Sequence, residues 1–172
     1  MSNEARNDEA GIAAKFWKAL KGDRVVMLGL VAVEEGHSQP MTAQLLEEHQ
    51  ETGGPIWFFT SKDTDLARAR GESPRAQIHF SSKGHELFAA VHGTLSSLDD
   101  RATIERLWNP WVAAWFEGGK DDPRLLLLRF EPERAQVWLN ENSVFAGIRL
   151  LLGRDPKQDY QRKVADVNLR QH

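Results

Sequence analysis

Apolar residues recur along this chain in two rhythms. Ile12, Phe16 with Trp17, and Ala19 with Leu20 follow the i, i+4, i+8 spacing of one helical face, which predicts a short amphipathic helix over 8–21. Asn7 or Asp8 serves as its N-cap and Gly22 as its C-cap. From Val25 to Val33 the run is apolar, rich in β-branched residues and bounded by turn residues, which predicts a strand. Gly29 in its middle implies a bulge or a close backbone approach. Glu34 to Ser38 reads as a turn and Gln39 to Leu46 as a return strand, with Pro40 tolerated only where its missing N–H faces no neighbour.

The alternation continues through the middle of the chain. A loop at 49–55 leads to a strand from Ile56 to Phe59, stopped by Thr60 and Ser61, a natural N-cap pair for a helix over Asp63 to Arg70 that Gly71 closes. Arg75 to Ser81 and His85 to Leu95 read as strands joined at Ser82-Lys83-Gly84. Ser97 and Asp100 have the spacing of a capping box and open a helix with Ile104, Leu107 and Trp108 on one face. Pro110 restarts it at Trp111 to Phe116, and Gly118-Gly119 ends it. Two last strands, Arg124 to Glu131 and Arg134 to Leu139, are separated around Pro132. One apolar stretch, Val144 to Leu152, then precedes a polar end from Gly153 that reads as loosely ordered.

About seven strands in mostly hairpin-linked succession predict a mainly β, α+β fold, an antiparallel barrel or curled sheet with flanking helices. No repeat or low-complexity tract divides the chain, and 172 residues suit one domain with a real core.

Composition narrows the chemistry. There is no cysteine, which excludes disulfides, thiolate-held clusters and thiol nucleophiles, so redox work would need a cofactor. A net charge of −3 offers no footprint for nucleic acid. The longest apolar run is far short of the ~20 residues of a membrane span, and the polar, acidic first residues do not read as a secretory signal, which suggests a cytoplasmic protein without membrane partners. GxSxG, phosphate-loop, GxGxxG and HExxH motifs are all missing, and Gly118-Gly119-Lys120 runs into two aspartates that would repel a phosphate.

Polar clusters add little. His79, His85 and His92 fall on two pairing strands, but a hairpin centred near Lys83 sets His79 opposite Leu87 or Phe88, and His85 and His92 differ by an odd number of positions, so no metal site is predicted. Glu47-Glu48-His49, Asp99-Asp100 and Asp121-Asp122 read as solvated or turn residues. No residue stands out as a general acid or base. The unusual feature is aromatic: Trp57-Phe58-Phe59, and Trp108, Trp111 and Trp115, which share one helical face if the helix continues past Pro110. Such a stripe is either a core or interface seam or a wall for a planar heteroaromatic ligand.

The segments QPMTAQ (39–44), IWFFTSKDT (56–64), VHGT (91–94) and LWNPWVAAWFEGGKDDPRLLLL (107–128) followed by AQVW (135–138) resemble the pyridoxamine 5′-phosphate oxidase-like flavin-binding split barrels, in their general stress protein branch. The long motif is specific to that branch. The resemblance implies a six-stranded split β-barrel occupying 1–140, a C-terminal extension at 141–172 that is partly helical or loosely ordered, and a homodimer with FMN, or FAD, at the subunit interface. It places Gln39, Pro40, Met41 and Thr42 along the flavin ring. It runs Phe58, Phe59, Thr60 and Ser61 beside the ring and ribityl chain, with the phosphate near a helix start at Ser61. Lys62, Thr64, Trp111 and Trp115 complete the implied cofactor set.

Two positions depart from the pattern. Gln39 stands where many relatives have arginine, and Leu66 where many have lysine. Losing two charge-assisted bonds lowers FMN affinity by about a hundredfold or more unless Lys62, Arg68 or a partner residue compensates. Three functions stay open on sequence: an FMN-dependent oxidoreductase, a non-catalytic flavin binder or sensor, and a barrel that has lost FMN for another ligand or a protein partner.

Overall fold

The computed structural model describes residues 3–31, 38–69, 75–140 and 164–170. Helix α1 spans Asn3–Asp23, longer at both ends than the periodicity predicts, and buries Phe16, Trp17 and Leu20 on the predicted face. Gly22 lies inside the helix rather than capping it. The stop falls at Arg24, which turns left-handed (φ 55°) with its N–H still donating to Leu20 O, while its guanidinium Nε donates to Lys21 O.

Strands β1 (Val25–Leu30) and β2 (Ser38–Thr42) form the predicted hairpin, Val26 opposite Met41 and Leu28 opposite Gln39. Pro40 is accommodated because β2 is the first strand of the sheet path, with β1 as its one sheet neighbour there. Gly29 marks a close approach: a Cβ there would meet Ser38 Oγ at 2.2 Å. The predicted turn at Glu34 to His37 lies outside the described residues.

The sheet runs β2-β1-β4-β5-β6-β3, with β3 at Ile56–Ser61, β4 at Arg75–Ser81, β5 at Leu87–Leu98 and β6 at Leu125–Leu139. Every pairing is antiparallel. The two ends of the path meet where Gln44, just past β2, bridges Trp57 of β3 through reciprocal backbone bonds of 2.8 and 2.9 Å. The result is a nearly closed antiparallel split barrel with flanking helices. Its interior is filled by Leu28, Phe58, Ile78, Val91, Leu128 and Phe130, capped by Phe16 of α1.

Two boundaries differ from expectation for physical reasons. The β4–β5 turn is two residues longer than a tight hairpin: His85, not Gly84, takes the positive φ (54°), and Ser82 Oγ accepts the N–H groups of Glu86 and Leu87. The predicted break at Pro132 is a bulge within one strand, since β5 skips from His92 opposite Arg134 to Gly93 opposite Pro132. Gly93 is required there, because a Cβ would sit 2.1 Å from Glu131 O. Strand β7 (Val164–Asn168) pairs with the far half of β6 and packs on α1, where sequence suggested a loosely ordered end. The apolar stretch Val144 to Leu152 lies outside the described residues.

A second, smaller core lies outside the barrel. Short helices α3 (Arg101–Leu107) and α4 (Pro110–Ala113) lay Ile104, Leu107, Val112 and Phe116 against Trp57, Leu125 and Leu127. Asp100, not Ser97, caps α3, accepting from Ala102 N (3.1 Å) and Thr103 N (3.4 Å); Ser97 is still in β5.

Candidate functional site

Between the barrel seam and this second core lies a cleft of about 350 Å³. Strand β2 and the residues after it contribute Pro40, Met41, Thr42 and Gln44; β3 contributes Phe59, Thr60 and Ser61; Thr64 follows; and α4 with its trailing turn adds Trp111, Val112, Trp115 and Phe116. The alternation of β3 decides its share. Phe58 points into the barrel and is fully buried, so it does not face the cleft as expected, whereas Phe59 on the opposite face does.

The tryptophan stripe is broken. Trp108 is extended (ψ 129°), Asn109 caps α4 through Trp111 N and Val112 N, and Pro110 occupies the first helical turn. Trp108 therefore packs inward, its ring edge-on to Phe59 at 5.9 Å. Trp111 and Trp115 flank the cleft with 84% and 81% of their surface exposed. Trp57, which sequence grouped with the wall, is buried in the second core beneath the Arg129 guanidinium.

Two further expected contacts lie elsewhere. Gln39 donates its amide Nε2 to Met41 Sδ at 3.1 Å and is not part of the cleft wall. Lys62 is exposed and donates its ammonium to Pro123 O at 2.8 Å. The helix expected to begin near Ser61 is α2 (Asp65–Ala69), and Thr64 rather than Thr60 or Ser61 caps it, accepting from Ala67 N at 3.3 Å and donating to Ser61 O at 3.0 Å. Thr60 Oγ1 in turn meets Thr64 Oγ1 at 3.3 Å. Leu66 is fully buried and supplies no cation, and Arg68 leans toward Asp65 at 4.0 Å.

The electrostatic character follows. Every residue lining the cleft is uncharged, and its polar side-chain groups are the hydroxyls of Thr42, Thr60, Ser61 and Thr64, the Gln44 amide and the indole N–H groups of Trp111 and Trp115. The loop beyond Phe116 is pinned by Asp122, whose carboxylate accepts from Arg124 N (2.9 Å), Gly118 N (3.2 Å) and the Arg124 guanidinium. That guanidinium and the backbone N–H groups hold its pKa down at about 2.

The acidic pairs set aside on sequence do structural work. Glu48 takes both oxygens to Arg106 Nη2 (2.6 and 2.8 Å), Asp121 pairs with Arg101 and Asp100 caps α3. His79 lies opposite Ala90, and His92 opposite Gln77, not in the register expected from a turn at Lys83. Among the described residues no three histidines or carboxylates gather as metal ligands.

A family model described as "Pyridoxamine 5′-phosphate oxidase like" matches residues 12–159. A general stress FMN/FAD binding protein from Xanthomonas citri is 57% identical, with 78% of this chain and 92% of that one covered at a TM-score of 0.72. This chain belongs to the pyridoxamine 5′-phosphate oxidase-like family. General stress protein 26 of Bacillus subtilis is 27% identical over 129 residues, 73% of this chain and 87% of that protein. A Clostridium acetobutylicum protein related to general stress protein 26 shares the fold at a TM-score of 0.64, with 20% identity and 76% and 90% of the two chains covered.

Within this oxidase-like barrel, sequence reading missed Gln44, Val112 and Phe116. Gln44 falls inside the stretch that reads as one continuous return strand, but β2 stops at Thr42, so the next residues turn across the seam. Val112 and Phe116 were visible only as apolar neighbours of the tryptophans.

Proposed function

We propose that this protein binds a flavin, FMN or FAD, in the cleft, with the ring between the β2–β3 seam and Trp111 and Trp115. The observation that carries this reading is the pair of tryptophans left more than four-fifths exposed beside an apolar cleft. An indole gains little for the fold at such exposure, while two flat rings with a polar N–H edge suit a planar heterocycle. The chemistry of the donor set fits the group: hydroxyls and one amide suit a ribityl chain and ring carbonyls, and the uncharged walls suit a neutral ring. The Xanthomonas citri relative bears the description of an FMN/FAD binding protein. With no charged wall in the described cleft, a phosphate would rest on its hydroxyls or on a second subunit.

Bound flavin supplies reversible electron and hydride acceptance, and this chain's residues would hold it and shield it. The cleft wall carries no titratable side chain, an observation that favours a flavin binder or an enzyme whose oxidoreductase step is the flavin's own. We also propose a homodimer in the cytoplasm, buried over the outer face of β1 and β5, where Val25, Met27 and Phe88 are exposed. No helix among the described residues is long and apolar enough to cross a membrane.

The test is uptake. Protein stripped of bound flavin and mixed with FMN should turn yellow after gel filtration and release flavin on denaturation. A colourless protein that takes up neither FMN nor FAD overturns the reading. Turnover with NADH or NADPH then separates enzyme from binder.

A further inference from the structure

Gln44 in the cleft wall and Asn109 behind it are two amides with a fixed sense. Asn109 Oδ1 accepts the backbone N–H groups of Trp111 and Val112, both at 3.1 Å, so its Nδ2 is the end left to donate elsewhere. Nδ2 donates to Leu107 O at 3.1 Å and to Gln44 Oε1 at 3.4 Å. A glutamine carboxamide is planar, with its oxygen and nitrogen on opposite sides of the Cγ–Cδ axis. With Oε1 turned to Asn109, the Gln44 Nε2 hydrogens face away from it.

The surroundings of Gln44 make that direction matter. Its backbone is clamped to Trp57 on both sides of the barrel seam, and the residue is only 6% exposed, yet it lines the cleft. No hydrogen bond among the described residues uses its Nε2. The residue is buried but its Nε2 is not sealed from solvent, so the donor is open to the cleft, and an acceptor there takes the place of water.

The geometry points to Gln44 as the donor that selects the cleft's ligand, its Nε2–H groups binding a neutral carbonyl oxygen on the edge of the ring, with Asn109 as the positioning residue that decides which end of the amide faces inward. This rests on the flavin reading and deepens it: recognition falls on ring carbonyls of the pyrimidine edge. A carboxylate in the same place would lose its water without meeting a counter-charge, because the cleft wall holds none. The side chain of α4's cap thus does two jobs, holding the helix that carries Trp111 and setting the polarity of the Gln44 amide.

Three variants test this by titration with riboflavin and FMN and by the midpoint potential of the bound flavin. Gln44→Leu keeps the volume and removes the donor. It should weaken both flavins equally, by tenfold or more, and lower the potential, because a donor at a ring carbonyl stabilises the charge of the reduced flavin. Gln44→Glu, which offers only acceptors, should do the same or worse. Asn109→Asp preserves the acceptor that caps α4 but loses the donor to Oε1, so Gln44 turns over and presents oxygen to the ring. It should reproduce the loss with little change in melting temperature, and combining it with Gln44→Leu should add nothing further.

Wild-type affinity and potential in Gln44→Leu and Gln44→Glu, with flavin still bound by the unaltered protein, would overturn the role of Gln44 and leave flavin binding standing. Strict additivity of the two positions would overturn the role of Asn109. An unaltered protein that binds no flavin would remove the reading beneath both.

Discussion

The barrel interior and the cleft beside it are built from the same residue types to opposite ends. Inside, Phe58, Phe130 and Leu28 are fully buried, and alternation along β3, β6 and β1 turns them inward. At the cleft, α4 sets Trp111 and Trp115 on the surface with most of their area in water. The interior is explained by stability alone. The cleft mouth is not, and side chains whose cost the fold does not require are where a ligand is to be sought.

The contrast is open to breakage. The largest effect is expected inside: Phe58→Ala should cost about 3–5 kcal/mol by urea unfolding, because a ring is removed from a site with no room to collapse. A small loss would mean that the barrel is less tightly packed than described. Gly93→Ala comes next, at about 1–3 kcal/mol or more, since the added methyl must displace Glu131 O at the β5–β6 bulge.

Acid should act on the cleft side. Asp122 is held at about 2 in the folded chain against an ordinary 3.8, so the unfolded chain takes up the proton first as pH falls. The stability Asp122 contributes is whole above about pH 4 and is lost as pH drops toward 2. Asp122→Asn should flatten that part of a melting temperature against pH curve, and an unchanged acid limb would deny the loop its anchor. The smallest stability change belongs to Trp111→Ala and Trp115→Ala, each within about 0.5 kcal/mol by the same unfolding measurement. A larger loss would make them structural residues after all.

The elements were mostly readable from period alone. The strand at Arg75 to Ser81 has the predicted ends because its alternation is clean and Pro74 and Ser82-Lys83-Gly84 bracket it in sequence. Pro132 misled because proline usually ends a strand, and only the partner strand, with Gly93 opposite, reveals a bulge. The tryptophan spacing misled for a related reason. Asn109 breaks the helix one residue before the proline, so Trp108 turns inward while Trp111 and Trp115 do not.

The segments that carry the resemblance supply β2, β3 and α4 to the cleft, and side-chain direction decides which of their residues line it. Phe58 and Phe59 are adjacent in sequence and face different cores. Lys62 looks like a phosphate cation in sequence, and in the fold its ammonium is engaged with Pro123 O. Gln44 is legible only once the seam with Trp57 is seen.

The central claim is that Trp111 and Trp115 are exposed in order to hold a ring. Flavin-stripped wild type and the Trp111→Ala/Trp115→Ala double variant should therefore be titrated with riboflavin, following the quenching of its fluorescence. Saturable one-to-one binding by the wild type, weakened tenfold or more in the double variant at an unchanged melting temperature, is the predicted result. Equal binding by the two proteins, or none by the wild type, would contradict it.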